Sequence, residues 1–296
     1  NGIPFFTDVP NQSMYTHNVS ATDSNAAENT AYGFTAMDAI TSGDKNVAIG
    51  FQAGSAINTG SGNTILGAYA GDAITTGTAN IAIGRSALGA EDTHSGNIAI
   101  GFQALTVQNA GADAYNVAIG HQAGLNVSTG TLNTIVGGLA GDALTTGEKN
   151  IAIGYNALTT EDTGSRNVAI GHGSLRHLNF DGTAYNVAIG YDAGTNVSTG
   201  KENTLVGGQA GDSLTTGEKN VALGKSALGS EDTGSRNVAI GNGALQSLNF
   251  DGTGYNVAVG YDAGVNVTTG INNTVIGGLA GDAINTGGQN VALGKA

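Results

Sequence analysis

The chain writes one short phrase sixteen times. "NVAIGFQAG" begins at Asn46, "NIAIGRSAL" at Asn80, "NVAIGHQAG" at Asn116 and "NVALGKSAL" at Asn220. Aligned on Asn, three apolar or Thr residues and Gly, the asparagines fall at Asn29, Asn46, Asn63, Asn80, Asn97, Asn116, Asn133, Asn150, Asn167, Asn186, Asn203, Asn220, Asn237, Asn256, Asn273 and Asn290. Neighbours are 17 residues apart, except for steps of 19 at 97 to 116, 167 to 186 and 237 to 256. The higher period is 70 residues, so Asn46, Asn116, Asn186 and Asn256 are equivalent. A unit this short buries its apolar positions only by stacking on its neighbours.

With Asn as position 1, positions 2 to 4 alternate on a pleated strand: Val47 and Ile49 on one face, read as the buried pair, and Ala48 on the other, for close approach. β-Branched residues favour strand over helix. Position 8 is Ala in all complete units but one, where Ser174 stands, and a second, shorter strand such as "FQAGSAI" is expected to follow. Each unit closes on a turn of the form T-G-x-x-N, as in "TGSGN" at Thr59 and "TGEKN" at Thr146. Seventeen residues with several glycines cannot hold two helices. The fold class is therefore all-β, a parallel β-solenoid or β-roll of about sixteen coils of 17 to 19 residues. At about 4.8 Å per coil it would be a rod on the order of 75 Å long.

Position 3, mostly Ala, becomes Ile65, Ile135, Leu205 or Val275 in every fourth coil, so the strand is apolar on both faces. One cover is the coil interior; the second is expected to be another copy of the chain, the alternative being a wider coil that buries both faces within one chain. A homo-oligomer is the expected partner, with a trimer favoured.

Composition narrows the function. The formal charge is −13, which repels phosphate backbones and excludes nucleic acid as a partner. No run of 18 apolar residues occurs, so no membrane insertion is expected, and the absence of Cys removes disulfides and thiolate metal sites. Apolar residues at 40% oppose disorder. Residues 1–28 lack the repeat and read as a connector or cap containing "IPFFTDVP"; residues 29–296 are the repeat domain. The opening, without basic leader or initiating Met, suggests a processed or excised chain. The chain stops at position 7 of a coil, which suggests either a cut from a longer fibre or coils continuing across subunits.

The phrase N-[VIT]-A-[IVL]-G-x-x-A-[LG], as in "NVAIGFQAG", "NIAIGYNAL" and "NVALGKSAL", resembles the head repeats of trimeric autotransporter adhesins and the repeat regions of bacteriophage tail fibres. The likeness covers about residues 29 to 296, and the unit here is longer than the usual adhesin-head repeat. It implies left-handed parallel coils, three chains about one axis, and a surface fibre.

The Asn at position 1 sits where turn meets strand, and its expected role is a ladder of side-chain amides bonded to one another and to the turn backbone: Asn46, Asn63, Asn80, Asn97, Asn116, Asn133, Asn150, Asn167, Asn186, Asn203, Asn220, Asn237, Asn256 and Asn273, with Asn29 and Asn290 at the ends. Glu91–Asp92, Glu161–Asp162 and Glu231–Asp232 pair carboxylates at 70-residue spacing, but neighbours on an extended chain point apart. These read as solvated turns near Arg166 or Arg236 rather than acid–base pairs. No catalytic residue, cofactor or metal ligand set is assigned: the G-G-x-G-x-D calcium turn is absent, Asp72, Asp142, Asp212 and Asp282 recur only every fourth coil, and His17, His94, His121, His172 and His177 share no repeat position with one another except as isolated substitutions. Asn126, Asn196 and Asn266 head N-V-[ST] sequons, with irregular ones at Asn11, Asn18 and Asn272.

The wider loops, "NAGADAY", "NFDGTAY" and "NFDGTGY", carry Tyr115, Phe180, Tyr185, Phe250 and Tyr255, a protruding aromatic set suited to stacking on a host surface glycan or protein, or to folding back on the coil edge. The expected function is a non-enzymatic structural fibre or adhesin outside a cell or on a virion. The alternatives are a self-polymerising extracellular filament, stacked end to end, and, less favoured, a glycan-cleaving tailspike.

Overall fold

In the computed structural model the described residues are 6–8, 13–15 and 25–295. Most of "IPFFTDVP", His17 and the sequon asparagines Asn11 and Asn18 lie outside them. The chain forms two compact units, Asn1–Glu148 and Lys149–Ala296. In the first, the strand Phe6–Asp8 pairs antiparallel with Ser13–Tyr15, which pairs parallel with Thr30–Tyr32. From there one three-residue strand per coil runs parallel and in register to Thr134–Val136. In the second, the same pattern runs from Ile151–Ile153 to Val291–Leu293. Together they hold about sixteen turns of parallel β-solenoid, with no helix among the described residues.

The strand faces are the reverse of the sequence expectation. Ala48 is fully buried, whereas Val47 and Ile49 are 36% and 37% exposed, and every complete coil has the same polarity. The reason is space. A 17-residue coil is narrow, and its interior is filled by position 3 (Ala48), position 8 (Ala53) and one larger residue at position 12 (Ile57). Small side chains at 3 and 8 let the walls close on that residue at interior packing density.

The second strand is also absent. Positions 6 to 12 form consecutive turns, because positions 7 and 9 adopt the left-handed conformation, as at Gln52 (φ 55°) and Gly54 (φ 55°), or Ser86 (φ 55°) and Leu88 (φ 52°). Left-handed residues separated by one other bend the chain instead of extending it. Stacking still satisfies their backbone: the amide of Gln52 donates to the carbonyl of Phe34 (3.0 Å) and that of Gly54 to Ala70 (2.9 Å).

Position 9 explains how the core absorbs its large residues. A Cβ on Gly211 would lie 2.8 Å from Leu205 Cδ2 and 2.8 Å from Leu214 Cδ1. The coil with Leu at position 3 therefore has Gly at position 9, and its successor reverses the pair with Ala222 and Leu228.

The Asn column closes each coil. The amide N–H of Asn203 donates to Asn186 Oδ1 (3.0 Å), its Nδ2 donates to the Gly217 carbonyl (2.8 Å), and its Oδ1 accepts from the amide of Asn220 (2.9 Å). The same bonds tie Asn29, Asn46 and Asn63 in the first unit.

Candidate functional site

Two surfaces follow from this arrangement. The first is the outward face of the strands, an uncharged band of Val, Ile, Leu and Thr at positions 2 and 4, with Tyr32 in the first coil, exemplified by Leu66 at 44% exposed. Beside it, position 6 forms a column of stacked rings. Phe34 stacks on Phe51 (6.1 Å between centroids) and Phe102 on His121 (5.3 Å); in the second unit Tyr155, His172 and Tyr191 stack at 5.6 and 5.2 Å. This column was readable by aligning position 6 across coils, but its Gly and Ala members at Ala68, Gly138, Gly208 and Gly278 hide it from a search for a constant residue.

The second surface is the wide loop. Tyr115, Tyr185 and Tyr255 project, and Phe180 and Phe250 are half-buried. The structure does not gather these rings into one cluster; each loop keeps its own. Cations from adjoining coils cover some of the faces: Arg166 lies 5.8 Å from the Tyr185 ring centre, Arg236 5.9 Å from Tyr255, and Lys201 5.5 Å from Phe180. In the first unit the Tyr115 hydroxyl donates to Asp113 Oδ2 (3.4 Å) instead.

The glutamates of the paired carboxylates correct the reading as solvated turns. Glu91, Glu161 and Glu231 are fully buried, at position 12 of the core row that elsewhere carries Ile57, Ile74, Leu214 or Leu248. Neither arginine pairs with them: Arg166 donates to Thr183 Oγ1 (3.0 Å) and Arg236 to Thr253 Oγ1 (3.2 Å). Backbone amides hold the carboxylates instead. Glu161 Oε1 accepts from Gly164 (2.7 Å) and Asp162 (3.1 Å), and Oε2 from Phe180 (3.2 Å). Burial pushes the Glu161 carboxyl above its usual range and the Glu231 carboxyl up to about 7, against the lowering effect of those amides. Burial likewise raises Asp72 and Asp212, and Asp192 adds repulsion at Asp212.

In the first super-repeat His94 stands where Gly164 and Gly234 stand in the others. Its amide donates to Glu91 Oε1 (3.0 Å), and its Nδ1 lies 2.9 Å from the same oxygen. Ligand atoms of Glu91, Asp92 and His94 lie within 4.8 Å of one another, a carboxylate and imidazole set with which a divalent cation could be held. No second such set is found among the described residues. Comparison of the chain with protein-family profiles, with curated proteins and with solved structures finds no match.

The sequon side chains Asn126, Asn196 and Asn266 are exposed, each donating through Nδ2 to the carbonyl of Asp142, Asp212 or Asp282 (2.8 Å). The remaining Asn272 is left-handed (φ 58°) and lies in the turn before Asn273.

Proposed function

We propose that the chain is a non-enzymatic structural segment of an extracellular or virion fibre, a shaft or adhesive head that works as a homo-oligomer, with three copies favoured. The observation that carries this reading is the outward strand face, repeated coil after coil and left half-exposed by one chain. Uncharged apolar bands of this kind on β-sheets are characteristically covered by another surface, and identical coils offer identical bands to identical copies. The stacked rings and the Arg166–Tyr185 and Arg236–Tyr255 pairs match the aromatic and Arg enrichment of protein interfaces. The outward tyrosines of the wide loops are the surface offered to a host glycan or protein. The full burial of Glu161 and Glu231 keeps these two carboxyls from meeting a glycan at the surface, which supports a non-enzymatic role over a glycan-cleaving one.

The test is light scattering coupled to size-exclusion chromatography, with negative-stain electron microscopy of the same fractions. A mass of three chains in elongated particles is expected; a globular monomer overturns the proposal.

A further inference from the structure

We propose that Glu231, with its counterpart Glu161, is a pH-operated latch that holds the wide loop of the following coil in acid and lets it go as the medium becomes neutral to alkaline. The geometry is a single side chain bridging two segments. Glu231 Oε1 accepts from the amide of Gly234 on its own turn (2.8 Å), and Oε2 accepts from the amide of Phe250, the residue that opens the aromatic stretch of the next coil (3.4 Å). The rest of the loop rests on the same turn. Ser235 donates to the Gly252 carbonyl (2.8 Å), Gly254 donates back to Ser235 (3.0 Å), and Thr233 Oγ1 donates to Asp251 Oδ1 (2.7 Å).

Among the described residues no cation offsets the Glu231 charge. On its own turn stand Asp232, which is repulsive, and Arg236, whose guanidinium is engaged with Thr253 Oγ1 and lies over the Tyr255 ring. The coil before carries Glu218, which lies 3.4 Å from Lys201, and Lys219, which lies 3.9 Å from Glu202. The coil after carries Asp251, another anion. The amide donors favour the ionised carboxylate, but full burial, reinforced by the neighbouring Asp232 charge, outweighs them, so the closed site holds the neutral carboxyl better than the ionised one.

The direction follows from linkage. The closed form binds the proton more tightly than the hydrated, open form: burial moves the carboxyl from 4.5 up to about 7. Below the lower value both forms are protonated and the latch holds fully. Between the two values the closed population declines up to tenfold per pH unit, roughly a hundredfold across the interval, and above the higher value nothing more is lost. Opening draws the carboxylate to water and frees the segment from Phe250 to Tyr255. This device does not depend on the fibre reading above; it would operate in any assembly that leaves the loop free.

Amide hydrogen exchange on the intact chain tests it, with rates corrected for intrinsic exchange and measured from pH 4.5 to 8.5. The protection of Phe250 and Gly234 is expected to fall roughly a hundredfold relative to Val257, a strand amide of the next coil. Glu231→Gln, neutral at every pH, should flatten that dependence. Glu231→Leu, which copies Leu214 and Leu248 in the same core row, should flatten it too while keeping the coil packed. Constant protection of Phe250 in the wild-type chain, or an unchanged slope in the Gln and Leu variants, overturns the latch.

Discussion

At the scale of single residues, the fold is held by polar groups that have no water to fall back on. Asn203 is fully buried and serves three backbone or side-chain partners at once. Truncation to Ala orphans the Asn220 amide and the Gly217 carbonyl, and each lost partner costs about 1–3 kcal/mol. Asn203→Ala should therefore lower stability by about 2–6 kcal/mol, visible as a lower urea midpoint at unchanged m-value. Glu231 makes the opposite kind of contribution. Its folded carboxyl is raised to about 7, above the unfolded 4.5, so the native state holds the extra proton. Stability from this group is complete below the unfolded value and is lost as pH rises through the folded one. Urea midpoints should fall between pH 5 and 8, and Glu231→Gln should shrink that fall. A midpoint rising with pH in the wild type but not in the variant would contradict the assignment. The Asn column was legible because it never varies. The buried Glu was not: it shares its position with Ile57 and Ile74, and the neighbouring Asp92, Asp162 or Asp232 makes each pair look like a charged turn.

At the scale of the coil, the period alone dictated stacking, and the strand at positions 2 to 4 was readable from its β-branched residues. Which strand face turns inward was not, because both are apolar; the narrowness of a 17-residue coil decides in favour of Ala48 over Val47 and Ile49. The second strand was misread for a different reason. Left-handed residues are signalled by Gly, yet here Gln52, Ser86, Leu88 and Leu105 adopt that conformation, held by bonds to the coils on either side. The coupling of positions 3 and 9 gives a sharp test. Gly211→Leu pushes a side chain into Leu205 and Leu214 and should cost about 1–3 kcal/mol. Leu205→Ala opens a cavity and should cost about 2–5 kcal/mol. Joined in one chain, the two changes reproduce the Ala222 and Leu228 pattern of the following coil. The double variant should be at least about 1 kcal/mol more stable than the sum of the singles predicts. Additive losses would show that the two positions do not share one volume.

At the scale of the whole molecule, the apolar strand face and the charge act in opposite directions. Copies carrying −13 each repel, while the band running past Ile189 and Leu223 gains by leaving water. If the band is the surface by which copies meet, added salt screens the repulsion and leaves the apolar gain in place, so association tightens as ionic strength rises. Charges placed within the band should act far more strongly. Both side chains point outward and neither fills the coil interior, so Ile189→Lys with Leu223→Lys leaves Ala188, Leu205 and Ala222 packed as before. Desolvating two ammonium groups per chain against apolar neighbours is prohibitive without partners. Sedimentation velocity should accordingly show the wild-type oligomer replaced by monomer in the double variant, with an unchanged far-ultraviolet circular dichroism spectrum. An oligomer of unaltered mass in the variant would move the interface to the ring column or the wide loops. For those, the matching substitutions are Tyr155→Ala with Tyr191→Ala, and Tyr185→Ala with Tyr255→Ala.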